Sequence, residues 1–173
     1  NCGKRIAHRK CALGVRKNAL VCRIFTAHIF CMRCENYYLF FTTCPSICPI
    51  MHRNMLTVYN EFKNTPDVKI ISFTIDPKHD TVAVLKTYAD KMGIAGDSWL
   101  LLHGQKEKTY QLSKSFLVTT PKDDVKEKFI HDGYFILVDK QKRVRGMYDG
   151  TDPKKVEQLI ADIKTLKAEP DQH

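Results

Sequence analysis

The chain has 173 residues, of which 43% are hydrophobic and 27% are charged, a composition typical of one soluble globular domain with a substantial core. It contains no run of eighteen apolar residues, so we expect no membrane-spanning segment. The formal net charge is +9, but residues 1–43 contribute +7 of it. The remainder is nearly neutral and has no basic stripe interleaved with aromatic residues, which argues against nucleic-acid binding.

The first 36 residues differ from the rest of the chain. They are basic, they hold five of the seven cysteines, and their apolar stretch over residues 20–32 is interrupted by polar residues. We expect residues 1–36 to be a segment of uncertain authenticity or structure, and their bias suggests a reading-frame error as a hypothesis. The chain begins at Asn1, which is consistent with a fragment whose signal or membrane anchor lies upstream. The working domain is predicted to cover residues 37–167, followed by a disordered polar tail over residues 168–173.

Two cysteines stand where a predicted strand passes into a predicted helix. The apolar run 37–41 predicts the strand, and the segment 42–49, TTCPSICP, follows it. A helix is predicted over residues 49–63, with a proline in its first turn, where a missing N–H costs little. The N-terminus of a helix supplies free N–H groups and a partial positive charge, so we expect both Cys44 and Cys48 to ionise easily.

The three-residue gap between Cys44 and Cys48 leaves several chemistries open. The pair could cycle through a disulfide like a thioredoxin-type redox pair, or it could bind a soft metal ion with room for a third ligand. A structural disulfide or two inert buried thiols are simpler alternatives. A four-thiolate zinc site would add Cys31 and Cys34, although nine residues with a strand-like run separate the two pairs.

The predicted helix over residues 49–63 has one apolar face. Met51 and His52 lie near the cysteines in sequence and are alternative metal ligands. Met51 fits the apolar face, whereas His52 is expected to point elsewhere. The other predicted members of this face are Met55, Val58, Tyr59 and Phe62.

The middle of the chain predicts two further strands and two further helices. A strand over residues 68–75 ends at the pair Asp76-Pro77, and Asp76 is a candidate for supporting a metal site through hydrogen bonds. Asp80 is expected to cap a helix that ends at Gly93. The buried face of that helix is predicted at Val82, Leu85, Tyr88 and Met92. The remaining predicted segments are a strand over Trp99–Leu102, a helix over 107–116 and a polar loop over 117–128.

The C-terminal part predicts a β-hairpin and a last helix. His131 stands just before a strand over residues 134–138, and a turn at 140–142 leads into a second strand at 144–148. Thr151, Asp152 and Pro153 start the helix, whose buried stripe is predicted at Val156, Leu159, Ile160, Ile163 and Leu166. The element order predicts an α/β, thioredoxin-like fold with a central mixed sheet, a late antiparallel hairpin and flanking helices.

Three features together resemble the Sco/SenC family of copper-binding, thioredoxin-like proteins. They are the motif Thr-x-Cys-Pro-x-x-Cys-Pro of residues 42–49, the Asp76-Pro77 pair at a strand end, and His131 before the last hairpin. The resemblance covers about residues 37–167. It implies three copper ligands, which are Cys44, Cys48 and His131.

The resemblance implies a copper metallochaperone that binds one Cu(I) or Cu(II) ion. Its implied recipient is the dinuclear copper site in the copper-bearing subunit of cytochrome c oxidase, or another copper protein, and other copper chaperones are implied partners. The implied location is the bacterial periplasm or the outer face of the cytoplasmic membrane, or equivalently the mitochondrial intermembrane space.

The alternative is an enzyme, a thiol–disulfide oxidoreductase that uses Cys44 and Cys48 to reduce a partner's cysteines before metal loading. Thioredoxin-type enzymes typically place a cis-proline beside the active cysteine, but residues 122–148 contain no proline. His131 takes the corresponding place in the chain. This difference favours metal binding over general disulfide exchange.

Overall fold

The computed structural model describes residues 34–105, 109 and 133–170. The described residues form five strands and three helices, which we number in chain order. The strands are β1 (Cys34–Phe40), β2 (Val68–Thr74), β3 (Trp99–Leu102), β4 (Tyr134–Asp139) and β5 (Val144–Asp149). The helices are α1 (Ile47–Phe62), α2 (Val82–Lys91) and α3 (Pro153–Ala168). The predicted helix over 107–116, the loop over 117–128 and His131 lie outside the described residues, apart from Thr109.

The strands form one mixed sheet in the order β3-β2-β1-β4-β5. β1 pairs in parallel with β2, and β2 in parallel with β3, whereas β4 runs antiparallel to both β1 and β5. The predicted mixed sheet with a late antiparallel hairpin is therefore confirmed. Because β1 lies at the centre, the segment that follows it emerges at the middle of one sheet edge, where the parallel strands β1 and β2 both end.

Alternation along β1 divides the core between the two faces of the sheet. Tyr38 and Phe40 join the larger cluster, to which all three helices contribute buried side chains. Tyr37 points to the opposite face, where it stacks on Phe73 with ring centroids 6.2 Å apart. No helix in the described part of the chain is long and apolar enough to cross a membrane.

Strand β1 begins at Cys34, so the predicted boundary between residues 36 and 37 cuts through it. Glu35 and Asn36 are completely buried within the strand. The Lys142 side chain donates to Glu35 from 2.6 Å, and the Tyr37 hydroxyl donates to the same carboxylate. A buried carboxylate needs such partners, and they bind the start of β1 to the β4–β5 turn.

Helix α2 begins differently from the prediction. Thr81, not Asp80, is the N-cap, and its hydroxyl accepts from the Val84 N–H at 3.4 Å. Val82 was predicted to be buried but is 40% exposed, since it lies in the first turn, away from the sheet. Gly93, with φ of 69°, follows the helix, as predicted.

Helix α3 begins as predicted. Asp152 is the N-cap and accepts from the Lys154 N–H at 2.9 Å, with a proline in the first turn. The predicted disordered tail starts at residue 168, but α3 includes Ala168, and Glu169 accepts from Arg145 at 2.9 Å. Four members of the predicted stripe are fully buried and Ile160 is partly buried; the four are Val156, Leu159, Ile163 and Leu166.

Candidate functional site

The two cysteines of the TTCPSICP segment meet at the junction between β1 and α1. Cys44 lies in the connecting loop, and Cys48 lies in the first turn of α1, whose N-cap is Ser46. Both are free thiols, 8% and 5% exposed, and they lie close enough for the charge of Cys44 to raise the pKa of Cys48. The structure thus places two sulfur ligands together, just below the surface and beside a helix N-terminus.

The two thiols differ in acidity. Burial raises the pKa of Cys44, but hydrogen bonds from the backbone of Cys48 and Ser46 outweigh it and bring the pKa to about 7. Burial also raises the pKa of Cys48, there with the added repulsion of Cys44 and Asp80, to about 12. The prediction that both thiols ionise easily is therefore confirmed for Cys44 and wrong for Cys48, which is more deeply buried and faces a negative partner.

A buried carboxylate holds the cysteine loop to the neighbouring strand end. Asp80 Oδ2 accepts from the Thr42 N–H at 3.0 Å and from the Thr74 hydroxyl at 2.6 Å. Asp80 Oδ1 accepts from the Thr42 hydroxyl and from His79 Nδ1, the latter at 2.9 Å. Although burial acts to raise it, these bonds hold the pKa of Asp80 below its usual range, so it is ionised at neutral pH.

Sequence reasoning missed this role of Asp80. It singled out Asp76, whose N–H donates to the Thr74 hydroxyl at 3.0 Å and whose carbonyl accepts from the Asp80 N–H. No described hydrogen bond joins the Asp76 carboxylate to the cysteine loop, so its supporting role stays a prediction. An acidic residue next to Thr81 looks like a helix cap in sequence, and only the long-range contact with Thr42 reveals its other function.

The chain two residues after His131 lies against the first turn of α1. Gly133 adopts a φ of 72°, and a Cβ there would sit 3.1 Å from Met51 Sδ and 3.5 Å from Ile47 Cδ1. The Gly133 carbonyl accepts from the Gly150 N–H at 2.8 Å. These contacts seat the start of β4 beside the helix turn that carries Cys48. They also confirm that Met51 belongs to the apolar face of α1.

His52 is buried, and the prediction that it points away from the core is wrong. Only 1% exposed, it shares a hydrogen bond from Nδ1 with the Tyr88 hydroxyl and packs edge-on against Tyr38 and Phe40. Burial lowers its pKa to about 4, which keeps the ring neutral. The buried arc of α1 is wider than its apolar residues suggest, because α2 covers the side where His52 stands.

The alternative of a four-thiolate zinc site does not fit the structure. Cys34 begins β1, whereas Cys44 follows its far end, and a strand of this length separates the two by about 20 Å. Within residues 34–105 and 133–170, no three His, Cys, Asp or Glu side chains are grouped to hold a metal. Among the described residues, the candidate site is thus the pair Cys44 and Cys48.

Comparison with known proteins gives a consistent match. The sequence model described as SCO1/SenC matches residues 23–168. The SCO1 protein homolog of Bacillus subtilis is 31% identical over 128 residues, which cover 72% of this chain and 66% of that protein's length.

Solved structures agree with the sequence match. BsSco, described as a member of the Sco family of cytochrome c oxidase assembly proteins with a disulfide switch, superposes with a TM-score of 0.66 at 26% identity, covering 82% of this chain and 84% of its own. Yeast Sco1 with copper bound superposes with a TM-score of 0.57 at 22% identity, covering 79% and 81%. The similarity to yeast Sco1 bears on the fold alone.

Proposed function

This chain belongs to the SCO1/SenC family, and we propose that it is a metallochaperone that binds one copper ion through Cys44, Cys48 and His131. The proposal depends on one observation above all, the placement of two buried cysteine thiols at the start of α1. Thiolates select soft ions, and Cu(I) is the soft ion that a site of two sulfurs accommodates with low coordination number.

The acidity of the two thiols fits metal loading. Cys44 is partly ionised at neutral pH and provides the first ligand, whereas Cys48 gives up its proton only when a cation replaces it. Copper binding at this pair should therefore release about one to two protons. The ion would form bonds to both sulfurs in place of the protons that they release.

His131 is proposed as the third ligand. It precedes Gly133 by two residues, a distance that the backbone spans in at most about 7 Å. Gly133 contacts the helix turn that contains Cys48, which supports a ligand from this part of the chain. An imidazole nitrogen would also let the site hold Cu(II). Asp76 remains a proposed supporting group.

The recipient and the location follow from the family. We propose delivery to the dinuclear copper site of cytochrome c oxidase, on the outer side of the membrane that carries this enzyme. BsSco is described as a member of the Sco family of cytochrome c oxidase assembly proteins, which supports a recipient of this kind. A site of three ligands leaves the ion open to an incoming ligand of the recipient.

A Cu(I) titration of the fully reduced protein against a competing chelator tests the proposal. The double variant Cys44→Ser/Cys48→Ser provides the blank, since it keeps the five other cysteines of the chain. We expect the wild type to bind one more tightly held ion than the blank, and His131→Ala to bind that ion more weakly. Equal stoichiometry in the wild type and the blank would refute the site.

The second candidate function is thiol–disulfide exchange, and the unequal acidity of the two thiols favours it. The Cys44 thiolate would attack a partner disulfide, and Cys48 would then lose its proton and release the partner with both of its sulfurs reduced. The pair Cys44–Cys48 would end as a disulfide, having supplied two electrons. His131→Ala should leave this exchange intact, which separates it from copper binding.

A further inference from the structure

His79 stands at the rim of the cysteine loop with one ring nitrogen already fixed. It lies in the connection between β2 and α2, and its side chain is 51% exposed. Its Nδ1 is 2.9 Å from Asp80 Oδ1 and 3.4 Å from the Thr42 hydroxyl. Thr42 precedes Cys44 by two residues, so the His79 ring is linked through one contact to the backbone that presents the first sulfur.

The contact with Asp80 determines which nitrogen of His79 is available. An ionised carboxylate only accepts hydrogen bonds, so the proton of the neutral ring belongs on Nδ1. The lone pair is then on Nε2. A histidine that binds a metal through one nitrogen typically donates from the other to a carboxylate, which orients the ring and raises its basicity. The Asp80–His79 pair has this arrangement.

His79 and the cysteine loop share a surface cavity of about 410 Å³. Thr42 and Thr43 line it on the loop side, and Tyr88 and Lys91 of α2 also line it. The cavity gives a ligand of small-molecule size access to His79 and to the residues that precede Cys44. His103, at the end of β3, does not line this cavity, and its Nε2 lies 2.9 Å from the Pro77 carbonyl oxygen.

We propose that His79 is a copper ligand at the mouth of the site, which takes the ion from its carrier before the thiolates do. This inference deepens the proposed function and rests on it for the destination of the ion. Nε2 replaces one ligand of the carrier, and the thiolates of Cys44 and Cys48 then replace Nε2 and release their protons. The oxidation state of the ion does not change in either exchange.

The ligand itself is tested by nuclear magnetic resonance with Cu(II) held by nitrilotriacetate, a complex that leaves a coordination position open to an exposed imidazole. The full chain would carry Cys44→Ser, Cys48→Ser and His131→Ala, so that this measurement does not depend on the proposed three-ligand site. We expect broadening of the amide signals of Thr43, Lys78 and Val84. Adding His79→Asn should abolish it, whereas adding His103→Asn should preserve it. Broadening that survives His79→Asn would overturn the proposal.

The role in transfer is tested with the cysteines present. We expect His79→Asn to lower the second-order rate of Cu(I) transfer from a chelator by about tenfold, because a docked ion meets the thiolates at a high effective concentration. The equilibrium affinity of His79→Asn for Cu(I) should match that of the wild type, and so should the transfer rate of the control variant His103→Asn. An unchanged transfer rate in His79→Asn would reject the docking role, and absence of tight Cu(I) binding in the wild type would instead reject the proposed function.

Discussion

Replacing Asp80 by asparagine should weaken the whole fold, because this carboxylate accepts four hydrogen bonds with its side chain fully buried. Each oxygen accepts two of them. An asparagine of the same shape keeps the geometry but replaces the charged acceptor by a neutral amide. If each of the four hydrogen bonds weakens by about 1 kcal/mol, the free energy of unfolding should fall by about 4 kcal/mol.

Urea unfolding at pH 7 of the wild type and of Asp80→Asn measures this loss. Asp76→Asn is the matched control, since no described hydrogen bond reaches its carboxylate. The loss should also depend on pH. The folded-state pKa of Asp80 is below its usual value, so its contribution is full above the unfolded pKa and disappears as the pH falls through the folded pKa. A loss below about 1 kcal/mol, or one equal to that of Asp76→Asn, would refute the reasoning.

Three further predictions concern other groups. Lys142→Met leaves Glu35 buried without its cation, so the free energy of unfolding at pH 7 should fall by about 3 kcal/mol. The loss should be smaller at pH 5, because burial raises the pKa of Glu35 and the carboxylate takes up a proton more readily there. In the same denaturation series, the control Lys86→Met, which removes an exposed ion pair, should change the free energy of unfolding little. Burial lowers the pKa of His52 to about 4 in the folded state, so protonation of this ring should lower the free energy of unfolding by about 3 kcal/mol between pH 7 and pH 4. A denaturation series in which His52→Leu shows the same pH dependence as the wild type would contradict a buried, neutral His52. The rate at which iodoacetamide alkylates Cys44 of the reduced protein should rise with pH and reach its midpoint near pH 7, as measured by peptide mass spectrometry. A midpoint at the ordinary pKa of a thiol would argue against hydrogen-bond stabilisation of the Cys44 thiolate.

Local patterns predicted the elements that depend on local sequence. The helical repeat of α1, the hairpin β4–β5 and the Asp152 cap of α3 were all found where the sequence indicates them. The pairing of Cys44 with Cys48 also follows from a short spacing at a strand–helix junction. These features need only neighbours in sequence, and a period or a cap residue is enough to define them.

What the sequence did not predict depends on contacts between distant segments. Asp80 accepts from Thr42, which is 38 residues away, and His52 is buried because Tyr88 of another helix covers it. The high pKa of Cys48 arises from burial that a helix N-terminus alone does not reveal. The ligand role of His131 stays a prediction, because it lies outside the described residues.

The central position of β1 has a practical consequence for anyone who shortens this protein. Residues 34–36 are paired on both sides, to Val68–Ile70 on β2 and to Leu137–Asp139 on β4. A version trimmed to begin at Tyr37 would expose the inner edges of both neighbours, and such unpaired edges invite association between molecules. A soluble fragment for the copper measurements should therefore retain Cys34 and the residues that follow it.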